Sequence, residues 1–191
     1  MGGMGKVEYE QLKDMQKAFE AIVGDVESGV IYDEALKDVG RRHLSRVVQN
    51  TPYGKYPNQV TFIAYRGTPQ EKVVSFSVKP KLGGTMKKGW VVNTQAQAEA
   101  SKGVPSQAEI SAKVASTPVQ QVGKKRTMYF FNRVNYTNYV DKGHRIMRKG
   151  KQIGWVKAQN FIRNSENATA AEMPRVFEQH MKKALQKRGI G

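Results

Sequence analysis

RTMYFFNRV, residues 126–134, is the stretch whose reading decides the fold class. Met128, Phe130 and Val134 alternate with Tyr129, Phe131 and Arg133, the period of two that marks a strand buried on at least one face. Downstream, 135–142 reads as a helical turn ended by Gly143, 147–150 as a basic turn, and 151–156 as a short strand holding Trp155. Upstream, Val74, Phe76 and Val78 alternate with Ser75, Ser77 and Lys79, and 60–65 is a companion strand across the turn-forming Gly67 and Pro69. A β-hairpin over 60–78 is expected.

Helices bracket these strands. Leu12, Met15, Phe19 and Ile22 fall on one face of a helix over 7–23, which Gly24 can end. A second helix over 33–49 carries Leu36, Val39, Leu44, Val47 and Val48, and Asn50-Thr51-Pro52 stops it. Near the other end, Met173, Val176, Phe177, His180, Met181, Ala184 and Leu185 form one stripe, with Thr169 to Glu172 reading as a capping box and Pro174 close to the helix start. The expected class is α+β: a small antiparallel sheet packed against two N-terminal helices and a C-terminal helix. The 191 residues suit one domain, with a hairpin insertion over 59–82 and a flexible arm over 94–125. Ala, Gln and Ser dominate 94–121, which is expected to add little to a core and reads as an arm or long loop with a short helix near 107–114.

Charge is the loudest bulk property. Lysine and arginine number 32 against 16 acids, a net charge of +16. Residues 1–40 hold 4 bases and 9 acids, so every unit of the positive excess lies beyond Gly40. The acids before Gly40 are expected at helix positions facing solvent. Such asymmetry points to nucleic acid nearby, or to contact between acidic and basic faces of neighbouring subunits. No run of about 18 apolar residues occurs, so no membrane span is expected, and no apolar stretch follows the first residues as a secretory signal would require.

The residues give little chemistry. Cysteine is absent, and the three histidines, His43, His144 and His180, lack metal-ligand spacing. No metal, cofactor or catalytic set is expected, and His43 and His180 read as surface or half-buried structural residues. Residues 84–89 only faintly resemble a phosphate loop, with Trp90 where its lysine belongs. Lys124, Lys125 and Arg126 before the aromatic strand, and Arg145, Arg148, Lys149 and Lys151 after it, could track a phosphate backbone. A basic nucleic-acid-binding module is therefore the alternative reading.

Four elements in order carry a resemblance. They are Asn50-Thr51-Pro52-Tyr53-Gly54-Lys55-Tyr56-Pro57, then Gly83-Gly84-Thr85-Met86-Lys87-Lys88-Gly89-Trp90, then 134–145 with Asn135, Tyr136, Tyr139, Asp141, Gly143 and His144, then Gly154-Trp155-Val156 leading to Phe161. Together they resemble the phage minor tail component family, which includes neck, head–tail joining and tail-completion proteins of long-tailed phages and phage-tail-like particles. Tyr53 and Asp141 stand where the family more often has Val and Glu, and 59–82 and 94–125 fall outside the resemblance. What it implies is a non-enzymatic virion protein at the head–tail junction, assembled in the host cytoplasm. It would form a homo-oligomeric ring of six copies between the head connector or adaptor and the tail tube or terminator, with DNA passing through the channel. Rings of this kind use unlike faces. The expected interface or channel residues are His144, Arg145, Arg148, Lys149 and Lys151, Lys124, Lys125 and Arg126, and the acids Asp33, Glu34 and Asp38. Trp90, Tyr136, Tyr139, Trp155 and Phe161 are expected as core or intersubunit anchors.

Overall fold

The computed structural model describes residues 9–54, 59–77, 83–93, 104–123, 125–148 and 150–190. Helix α1 (Tyr9–Ser28) runs straight through Gly24, past the expected stop. A helical glycine costs only about 1 kcal/mol, and Ile22, buried, lies on the same side of α1 as half-buried Val26 beyond the glycine. The chain turns instead at Gly29, whose φ of 79° suits glycine, and α2 (Val30–Asn50) begins there. α2 presents Ile31, Ala35, Val39, Leu44, Val47 and Val48 as buried residues and is the helix around which the others gather.

Strands β1 (Gln59–Ala64) and β2 (Lys72–Ser77) form the expected hairpin, whose expected last residue, Val78, lies outside the described residues. The short helix α3 (Thr85–Lys88) leads into β3 (Trp90–Val92), all three residues of which are buried. Helix α4 (Gln107–Ala115) opens with a full capping box between Ser106 and Glu109. Glu109 also takes a hydrogen bond from Lys88, and these donors hold its carboxyl down to about 2. The expectation that 94–121 adds little to the core fails at α4. Ile110 and Val114 are 2% and 1% exposed and belong to the main cluster. Their spacing of four puts both on one face of α4, and burying each contributes about 1.5–3 kcal/mol. Residues 94–103, where the expected arm begins, lie outside the described residues.

The strand expected over 126–134 is two strands with different partners. β4 (Gln120–Val122) pairs with β5 (Lys125–Thr127), whereas β6 (Phe130–Asn132) pairs with β3. Asn93 causes the break: its N–H donates to the Tyr129 carbonyl at 2.7 Å, and its side-chain oxygen accepts from the Tyr129 N–H at 2.6 Å. The alternation itself survives, since Met128 and Phe130 pack against the core while Tyr129 and Phe131 are exposed. Helix α5 (Thr137–Lys142), ended by Gly143, precedes the hairpin β7 (His144–Arg148) and β8 (Lys151–Val156). Among the described residues the antiparallel strands make four two-stranded sheets in an α+β fold.

Helix α6 (Phe161–Gln186) starts eight residues before Thr169. The Thr169 to Glu172 capping box is therefore corrected. Phe161, Ser165 and Thr169 recur at intervals of four and face α2, so packing continues the helix well upstream. Pro174 lies inside it, exposed on its outer side. Thr169 gives its one proton to the Ser165 carbonyl and accepts from Arg46 at 2.9 Å. His43 Nδ1 lies 3.2 Å from the same hydroxyl oxygen. With the threonine proton already donated, the network assigns the imidazole proton to Nδ1.

Burial, and then the charge of Arg46, hold the His43 imidazole below its ordinary value. It is neutral in the fold and charges more readily in the unfolded chain. Stability contributed by neutral His43 is present above about pH 6.5 and is lost as pH falls below it, because there the unfolded state binds the extra proton. Glu172, held low mainly by its hydrogen bond from Arg46, loses its contribution only below the ordinary carboxylate range. Urea midpoints measured from pH 7.5 to 5 should therefore fall in the parent chain and fall less in His43→Asn, which keeps a donor near Nδ1. Equal slopes would contradict this assignment.

Candidate functional site

The four elements that carry the resemblance, spread along the chain, meet around one cleft of about 300 Å³. Pro52, Tyr53, Gly54, Gly84, Thr85, Met86, Tyr136, Val140 and Gln159 line it. Trp90, which closes the second of these elements, is 3% exposed and belongs to the main cluster with Leu44, Val47, Val48 and Ile110. Its indole N–H donates at 2.9 Å to the hydroxyl of Thr51, and that hydroxyl donates at 2.6 Å to the Val47 carbonyl in the last turn of α2. Thr51 is thus both the stop of α2 and the polar partner of the largest core residue. Gly83 is required here because a side chain would collide with the Gly54 carbonyl and the Tyr53 ring.

A second polar contact fixes the α5 side. Asp141 is buried at the end of α5, and its carboxylate accepts from the Ile162 N–H at 3.0 Å. Its backbone carbonyl accepts from Gln159 and Asn160. Asn160, at the N-cap position of α6, makes no side-chain cap, so the carboxylate of Asp141 serves that helix from 21 residues away. Gly143, with φ 72°, lets the chain pass against the Val156 carbonyl on its way into β7.

The expected interface residues separate into two groups. Arg145, Arg148 and Lys151 are exposed on the β7–β8 hairpin, beside Ile146, Met147, Ile153 and Trp155, which are also exposed. Trp155 is 58% exposed and sits opposite Arg145 in the strand register, so it is no core aromatic. His144 begins β7, half-buried edge-on to the exposed Tyr139 ring. The segment 144–151, basic in sequence, lies mostly within the paired strands of this hairpin. Lys149 and Lys124 lie outside the described residues.

Of the remaining residues, Arg126, Asp33 and Asp38 are paired within the chain. Arg126 reaches from β5 to Asp33 at 2.7 Å and to the Ser28 carbonyl at 2.8 Å, locking β5 onto the α1–α2 turn. Lys125 stays exposed beside it. Asp38 is paired with Arg41 and Arg42 and lies 3.6 Å from His180, which is also 3.9 Å from Glu34. The expectation that the acids before Gly40 simply face solvent is therefore corrected for Asp33 and Asp38. Reversing either charge would strain the subunit itself. Sequence reasoning missed the caps made by Thr51 and Asp141, because their partners are distant and no local spacing announces them.

Among the described residues, no group of three His, Asp or Glu side chains is placed to hold a metal ion, and no helix is long and apolar enough to cross a membrane. Comparison with models of known protein families, with curated proteins and with solved structures gives no match to this chain.

The Thr51 to Trp90 bond is directly testable. Thr51→Val keeps the shape but leaves a buried indole N–H without a partner, a cost of about 1–3 kcal/mol. Urea unfolding should show that loss, and Thr51→Ser, which keeps the hydroxyl, should recover much of it. An unchanged midpoint in Thr51→Val would show that the bond contributes nothing.

Proposed function

We propose that this chain is a structural subunit of a phage-type tail, forming a ring at the head–tail junction or tail top. In this reading it joins the head connector to the tail tube or completes the tube, and it performs no catalysis. The observation that carries the reading is the β7–β8 hairpin. An isolated two-stranded hairpin is marginal in water, yet this one exposes Ile146, Met147, Ile153 and Trp155. Helix α1 likewise leaves Leu12, Met15, Phe19 and Val23 exposed. Apolar surface on this scale marks a protein–protein contact. The resemblance to minor tail components supplies the kind of assembly, and the meeting of its four elements around one cleft is compatible with it.

A second reading keeps one specific observation in its favour. Arg145, Arg148 and Lys151 are exposed next to an exposed tryptophan, a combination that can hold phosphates and stack a base. The two readings separate in one experiment on the full chain. Native mass spectrometry and negative-stain imaging at physiological salt should give a closed ring, six copies being expected. A monodisperse monomer that binds DNA, with log affinity falling against log salt at a slope of about −3 for three phosphate contacts, would replace the ring reading with the second.

A further inference from the structure

Among the described residues, α1 and the β7–β8 hairpin both expose apolar side chains, and they differ in charge. On α1 the buried Ile22 and half-buried Val26 lie near the turn into α2, while Leu12, Met15, Phe19 and Val23, a stripe on the same face of the helix, stay exposed. Glu20 and Glu27, two helical turns from each other, lie on the flank of that stripe, both exposed. The helix as a whole holds five acids against two lysines. The β7–β8 hairpin has the opposite character. Met147 and Trp155 project from one face of the hairpin together with Arg145, Ile146 projects from the other with Arg148 and Lys151, Ile153 sits at the register shift, and residues 144–156 contain no acid.

We infer that the open stripe of α1 on one copy packs against the β7–β8 hairpin of the next copy, with Glu20 and Glu27 facing the hairpin's basic residues. Charge complementarity selects this pairing. Stripe against stripe would bring like charges together. The other exposed hairpin, β1–β2, offers Ile63, Tyr65, Val73 and Phe76 but has only Arg66 and Lys72 against Glu71, so it has no basic excess to match. The lengths also agree. Leu12 to Val23 rises about 16 Å along a helix, and a six-residue strand spans about 17 Å. Because the two faces are unlike and sit on different elements, each copy offers α1 to one neighbour and the hairpin to the other. Repetition of that contact closes into a ring when the rotation permits. The inference rests on the ring reading and adds to it which surfaces meet.

The absence of cysteine makes the contact measurable without background. Phe19→Cys chains are mixed with Trp155→Cys chains under mild oxidation, and disulfide products are identified by non-reducing electrophoresis and mass spectrometry. The mixed disulfide should exceed the product of either variant alone at least tenfold, and should exceed that of Phe19→Cys mixed with Ile63→Cys equally. A second pair, Gln16→Cys with Gln152→Cys, leaves every apolar and charged residue of both faces in place and should give the same preference. Circular dichroism of each variant checks that it has folded. An oligomer of undiminished size that forms Phe19 to Phe19 or Phe19 to Ile63 disulfides, or none, would overturn the inference and leave the ring reading standing. A monomer in the parent chain would remove both.

Discussion

The indole of Trp90 cannot be buried unless its N–H is answered, and the Thr51 hydroxyl answers it. Much of the architecture follows from that requirement. Thr51 must sit where α2 ends, so the helix has to stop there, and Pro52 makes it stop. Trp90 must lie under that end, so Gly83 has to let the preceding loop pass close to Gly54. With β3 placed, β6 pairs beside it, and the apolar faces of α4 and the first turn of α6 close over the same cluster around Leu44, Val47 and Val48. The bond also needs little help from its surroundings, because the same hydroxyl both accepts from the indole and donates to Val47.

A core organised in this way is confined to a few elements. α2, α3, α4, β3 and the start of α6 share it, while α1 and the hairpins β1–β2 and β7–β8 carry large apolar side chains out to the surface. Ion pairs hold some of the periphery: Arg126 binds the α1–α2 turn, Arg188 reaches Asp25, and Arg46 ties α2 to Glu172 on α6. Ile146, Met147, Ile153 and Trp155 of the β7–β8 hairpin stay exposed outside these ion pairs.

Much of the fold was legible because its signals are local. The β1–β2 hairpin, strand 151–156, the α5 turn ended by Gly143 and the helix near 107–114 all rest on periodicity or turn chemistry within a few residues. Elsewhere distant contacts override local signals. Thr169 looks like a cap, yet packing against α2 carries the helix back to Phe161, where Asp141 supplies the missing cap. Ile110 and Val114 stand in a stretch of Ala, Gln and Ser, and composition hides that two apolar residues at a spacing of four are enough to seat a short helix. For the candidate site, Arg145, Arg148 and Lys151 are exposed, as charge patterning suggests, whereas Arg126, Asp33 and Asp38 are partners inside one subunit. Net charge says how much charge there is, but not which charges are already paired.

If this chain covers its exposed aromatic surface by association, its two tryptophans will report it. Trp90 is 3% exposed within the subunit and Trp155 is 58% exposed. Quenching of tryptophan fluorescence by acrylamide, a neutral quencher unaffected by the basic hairpin, should divide the emission into a protected and an accessible class in dilute solution. On raising the protein concentration through the assembly range followed by light scattering, the accessible class should shrink as Trp155 is covered. Particles that grow while the accessible fraction stays constant, or a chain that forms no particles at any concentration, would show that Trp155 is not an assembly surface.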